Sequence, residues 1–147
     1  MTATETALKV ETYLFFNGRC EEAIEYYKRT LGAEVDMMMR YKDMPPEAAA
    51  QGKVPAEAQN KIMHASIRIG ETHLMAADNC SDHKCGIEGF ALSIAVQDEA
   101  QAKKLFTALA DGGQVKMPLS KTFFSPSFGM LTDKFGVGWM ILVRQAM

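Results

Sequence analysis

One order of elements runs through the chain twice: strand, helix and three strands, then strand, helix and three strands again. Residues 10–16 (VETYLFF) are aromatic and β-branched, which predicts a strand, broken at Asn17-Gly18. Cys20–Leu31 carries Ala23, Ile24, Tyr27 and Leu31 on one face at helical spacing, with Gly32 at the stop. Residues 34–41 predict a second strand. Ile62–Ile69 and Thr72–Asp78 then form a hairpin about the two-residue turn Gly70-Glu71. In the second half, residues 90–96 are a strand and Asp98 caps a helix with Ala102, Leu105, Phe106 and Leu109 inward. Asp111-Gly112-Gly113 ends that helix. Pro118 makes 115–119 an edge strand. Phe128–Thr132 and 137–143 close the pattern as a hairpin around residues 133–136. A displacement of 79 residues places Thr12 on Ala91, Leu14 on Ser93, Ala23 on Ala102 and Tyr27 on Phe106. A displacement of 65 places Leu74 on Trp139 and Met75 on Met140.

The expected organisation is a first βαβββ module over residues 9–79, a polar linker over 80–88 and a second module over 89–147, together one α+β structural domain. Residues 42–61 hold Met44-Pro45-Pro46, an alanine run, Gly52 and Pro55, and read as a flap with a short helix near 55–59. Of 147 residues, 48 % are hydrophobic, which suffices for a core. A net charge of −2 without a basic tract argues against nucleic-acid binding. No apolar run approaches the roughly 20 residues of a membrane span, and the first residues lack a signal layout. Three cysteines, an odd number, point to free thiols in a reducing cytoplasm. Eleven methionines suit either an adaptable apolar cavity or an ordinary core that uses Met.

Two groups of residues carry a resemblance. Residues 13–18 (YLFFNG), followed by Ala23-Ile24-Glu25-Tyr26-Tyr27 and Leu31-Gly32-Ala33, resemble the opening of the vicinal oxygen chelate (glyoxalase/bleomycin resistance/dioxygenase) superfamily. Residues 62–65, 74–79 and 128–139 are similar to its PhnB-like branch. The resemblance implies a glyoxalase/bleomycin-resistance-type curled mixed sheet in which two modules enclose a cup. It further implies a homodimer, and binding of an apolar or aromatic small molecule as in metal-free relatives that sequester antibiotics. The branch is often labelled as 3-demethylubiquinone methyltransferase-like, but no glycine-rich strand-to-helix turn for S-adenosylmethionine is present, and no cofactor is expected. Metal enzymes of the superfamily place ligands at four inward positions. Carried over, these are Thr12, Met75, Ala91 and Met140, none of which is a normal divalent-metal ligand.

Alternation outward from Met75 predicts which residues share the cup wall. On the first module these are His64, Ser66, Arg68, His73 and Ala77, with Thr12, Leu14 and Phe16. On the second they are Ala91, Ser93, Gly129, Leu131, Gly138, Met140 and Leu142, with Phe124 at the rim. Tyr13, Phe15, Ile67, Leu74, Leu92, Ile94, Trp139 and Ile141 are expected under the helices. Ligand contacts are therefore expected from His64, Ser66, Arg68, Met75, Leu14, Phe16, Met140 and Phe124. His64 is the catalytic candidate as the lone imidazole near the cup floor, and a structural or ligand-bonding role stays open for it. Cys80, His83 and Cys85 read either as part of a zinc site or as a linker with incidental thiols. The competing reading is a glyoxalase- or dioxygenase-like metalloenzyme, a lyase or isomerase with non-standard ligands such as His64 and Glu11.

Overall fold

The computed structural model describes residues 8–45, 56–78 and 87–144. Cys80, His83 and Cys85, the middle of the expected flap and most of the linker lie outside these residues. The first half contains β1 (Thr12–Phe16), α1 (Cys20–Leu31), β2 (Glu34–Arg40), β3 (Ile62–Ile69) and β4 (Thr72–Asp78). Short 3₁₀ turns lie at Tyr41–Asp43 and Ala56–Ala58, the second where a short helix is expected. The second half contains β5 (Leu92–Val96), α2 (Glu99–Ala110), β6 (Gln114–Ser120), β7 (Phe128–Thr132) and β8 (Gly138–Val143). Each half forms a four-stranded mixed sheet, in the orders β1-β4-β3-β2 and β5-β8-β7-β6. The repeated βαβββ architecture is thus present in both halves.

Local chemistry explains the boundaries. Gly32 ends α1 in the left-handed region at φ 69°, donating to the Lys28 carbonyl. Asp98 caps α2 by accepting from the Gln101 amide at 2.7 Å. Gly70 takes φ 60° at the first position of the β3–β4 turn, and no other residue type adopts positive φ among the described residues. That is the demand of a type II′ hairpin. The resulting register sets Arg68 opposite His73 and Ser66 opposite Met75, as the sequence predicts.

One core serves both halves. It joins Leu14, Phe16, Ala23, Ile24, Tyr27, Ile67 and Leu74 to Phe106, Leu109, Leu131, Trp139 and Ile141. Its polar centre is Asp133, only 3 % exposed. That carboxylate accepts from the Tyr27 hydroxyl at 2.6 Å and from the Trp139 indole at 2.9 Å. It also accepts from the Phe135 and Val137 amides at 2.8 and 3.0 Å. A helix of the first half is thereby fastened to the last hairpin of the second. The Tyr26 hydroxyl adds a bond to the Ala108 carbonyl on α2, and Phe135 packs edge-on to Phe16, Tyr26 and Tyr27.

Burial, with the Asp133 carboxylate second, holds the Tyr27 phenol far above its ordinary range. The unfolded phenol ionises near pH 10. Tyr27 therefore contributes its full stability below about pH 10 and loses it progressively as pH rises further. Base titration followed by Trp139 fluorescence is expected to show this loss, and Tyr27→Phe to flatten it. Asp133→Ala leaves several buried donors without an acceptor, each worth roughly 1–3 kcal/mol. Urea denaturation is expected to show the Ala variant as far less stable than Tyr27→Phe.

Candidate functional site

The faces of the two sheets follow from register, since partners across a ladder share a face. On the first sheet, Tyr13, Met75, Ser66 and Met37 form one row across β1, β4, β3 and β2. Phe15 and Ala77 continue into the next row, with His64 paired to Met39. On the second sheet, Ser93, Met140, Met130 and Met117 form the matching row. Ala95, Leu142, Phe128 and Ser120 follow it. These faces lie away from the shared core. Phe15 is 50 % exposed, Met37 40 %, Met117 43 % and Phe124 42 %.

His64, Ser66, Arg68 and Met75 thus come together on the first concave face, and Met140 lies on the second. Phe124 joins the second by packing edge-on against Phe128 at 5.0 Å. Thr12, Leu14 and Phe16 do not belong to the concave face. Thr12 pairs with Leu74, and Leu14 and Phe16 are 2 % and 3 % exposed beneath the helices. Tyr13 and Phe15 hold the concave positions instead. β1 and β5 match at a displacement of 80, and the helices at 79, so one residue separates the two strand-to-helix connections. The structural counterpart of Thr12 is Leu92, and that of Ala91 is Glu11. Gly129 and Leu131 also change sides: Leu131 is 1 % exposed, and a Cβ on Gly129 would stand 2.7 Å from the Phe106 ring. The bareness of Gly129 admits α2 and not a ligand. Phe128, Met130 and Thr132 face the concave side.

The first concave face has a polar centre that the sequence does not reveal. The Tyr13 hydroxyl lies 2.9 Å from His64 Nδ1, and the Tyr13 ring stacks on Phe15 at 4.7 Å and 18°. Burial raises the Tyr13 phenol above its ordinary range, with the Cys20 thiol a lesser cause, which keeps it protonated at neutral pH. Arg68 is committed elsewhere. It pairs with Glu34 and, at 3.9 Å, with Asp36, which also meets His73 at 3.4 Å. Met37 and Met39, contributed by β2, were absent from the expected wall.

No group of three His, Cys, Asp or Glu converges among the described residues. The β1–α1 connection carries a single glycine, and Asp78 fills the start of α1. It accepts from the Gly18 and Cys20 amides at 2.9 Å each and from the Ile62 amide at 3.0 Å. The N-terminus of α2 is occupied by its own Asp98. Both helix starts that could face an anionic group are therefore engaged by protein carboxylates. A separate cleft of about 560 Å³ opens between the halves, lined by Thr12, Leu31, Leu92, Ile94, Leu105 and Trp139. No helix is long and apolar enough to cross a membrane among the described residues.

Residues 8–142 match the family described as 3-demethylubiquinone-9 3-methyltransferase. Protein YjdN of Escherichia coli (strain K12) is 37 % identical over 140 residues, covering 92 % of this chain and 95 % of YjdN. The crystal structure of PA1353 from Pseudomonas aeruginosa is 42 % identical with a TM-score of 0.82, covering 95 % of this chain and 100 % of that one. A PhnB protein from Bacillus cereus is 28 % identical with a TM-score of 0.77, covering 92 % and 99 % of the two chains. A glyoxylase/bleomycin resistance protein/dioxygenase domain from Frankia shares the fold at a TM-score of 0.66 and 12 % identity, over 95 % and 98 % of the chains. The chain belongs to the PhnB-like family that carries the 3-demethylubiquinone-9 3-methyltransferase description, and its fold is that of the glyoxalase/bleomycin resistance/dioxygenase superfamily.

The corrected faces make a direct prediction. Leu14→Ala is expected to cost about 2–5 kcal/mol, as for a buried leucine. Phe15→Ala, next to it on the half-exposed side, is expected to cost markedly less. Chemical denaturation of the two variants checks this, and the reverse order would restore Leu14 to the concave wall.

Proposed function

We propose that this member of the PhnB-like family is a metal-independent, cytoplasmic binding protein for an apolar or aromatic small molecule, acting as a homodimer. The observation that supports it is the first concave face: a stacked Tyr13–Phe15 pair and Met37, Met39 and Met75 on the same face as the hydrogen-bonded pair Tyr13–His64 and Ser66. Ligand sites are mostly apolar surfaces with a few placed polar groups, and methionine adapts to irregular apolar shapes. In one chain Phe15, Met37, Met117 and Phe124 on the two concave faces stay exposed, which favours completion of each half-cup by a second copy. A binding role needs no catalytic group. The methyltransferase in the family's description finds no glycine-rich cofactor turn here, and the helix starts are filled by Asp78 and Asp98.

A second reading, a lyase- or isomerase-type metalloenzyme, draws on one feature: the counterpart of Ala91 is the carboxylate residue Glu11. Elemental analysis of purified protein separates the two. Binding predicts no stoichiometric metal, whereas one equivalent of Zn, Ni, Mn or Fe lost in Glu11→Gln would establish the second reading. A thermal-shift screen with apolar and aromatic compounds is expected to raise Tm, since ligands selective for the folded state stabilise it. Light scattering is expected to give twice the 16.2 kDa chain mass.

A further inference from the structure

We infer that Tyr13 is a positioning residue that fixes His64 as an Nε2–H donor, so that the first concave face selects planar aromatic ligands bearing an oxygen acceptor such as a carbonyl. This rests on the small-molecule reading above and specifies what that ligand must present.

The proton bookkeeping runs through one bond. The Tyr13 oxygen is 2.9 Å from His64 Nδ1, and Tyr13 has no other hydrogen-bond partner among the described residues. A half-buried phenol that stays protonated gives its proton to the acceptor available, here Nδ1. A neutral imidazole that accepts at Nδ1 carries its own proton on Nε2. Nε2 meets no partner among the described residues, and His64 is half-buried on the concave side. The site therefore presents a single N–H, and an acceptor brought there in an apolar setting satisfies it, whereas a purely hydrocarbon ligand leaves it orphaned.

The same residues set the shape. The Tyr13 and Phe15 rings stack almost parallel, at 18°, and Phe15 remains 50 % exposed, so a further flat ring can extend the stack. Met75 stands beside Tyr13 on the neighbouring strand, with Met37 and Met39 further across the same face on β2, and sulfur–aromatic contact is favourable. The polar residues Glu34, Asp36, Arg68 and His73 engage one another at the far end of the face and offer no competing unpaired charge.

The test uses two neutral probes of nearly equal size, 2-acetylnaphthalene and 2-ethylnaphthalene, titrated by calorimetry, with ¹⁵N NMR of the imidazoles in labelled protein. The expected result is an Nε2–H tautomer for His64 and an acetyl compound that binds about 3- to 10-fold tighter, the worth of one net hydrogen bond. In Tyr13→Phe, which keeps the ring, the tautomer preference is expected to fade. The acetyl advantage is expected to shrink with it while ethyl binding holds. Equal affinities, an Nδ1–H tautomer in the unaltered protein, or an advantage that survives Tyr13→Phe would overturn the inference and leave the small-molecule reading standing. If neither probe bound, both would fall.

Discussion

A single buried carboxylate makes two small sheets into one protein. Asp133 sits in the turn of the last hairpin, yet its nearest side-chain partner, the Tyr27 hydroxyl, comes from the helix of the other half. Neither half is large enough to stabilise itself easily, because small units bury too little of their surface. Their helix-bearing faces are covered together, and the covering has to accommodate a charge. Asp133 meets that requirement with four donors arranged around both oxygens. Fixing α1 against Trp139 fixes the core, and the core fixes which side of each strand remains outside. The candidate site is what is left over once that assignment is made.

The architecture was legible because its signals are redundant. Two helices with matched inward residues, two hairpins with defined turns and Pro118 on an edge each point to the same repeated unit, and β6 is indeed an edge strand. The hairpin register followed from one turn, since a two-residue connection leaves no freedom in pairing. Strand β1 was harder. Leu14 and Phe16 alternate with Tyr13 and Phe15, so both of its sides are apolar and alternation cannot choose between them. A displacement of 79 holds for the helices, and applied to the strands it selects the wrong side by one residue. Strand β7 failed for a related reason: Gly129 suggests open space, and the space is taken by Phe106.

That single slip explains why the site was only half readable. His64, Ser66 and Met75 share one face of the first sheet, as alternation along β3 and β4 predicts. The partner of His64 is Tyr13, which was expected under a helix, so their bond had no trace in local pattern. Arg68 looked available because β2 had not been assigned a face, and β2 supplies both Glu34 and Asp36. Contacts across sequence separations of this size depend on the packed fold and not on spacing. In the repeat, Glu11 and not Thr12 is the counterpart of Ala91.

The outer edge strands hold one more consequence. β2 is irregular between Val35 and Met37, and β6 between Val115 and Met117, the same place in each repeat. Each strand breaks register a second time further on, and Pro118 removes a donor from β6. These are the longest strands with a free side, and they carry exposed Val and Met, a combination that ordinarily templates strand-by-strand growth. The interruptions spoil that template. Interrupted in this way, β2 and β6 carry their exposed Val and Met without an unbroken ladder of free backbone groups for another strand to extend.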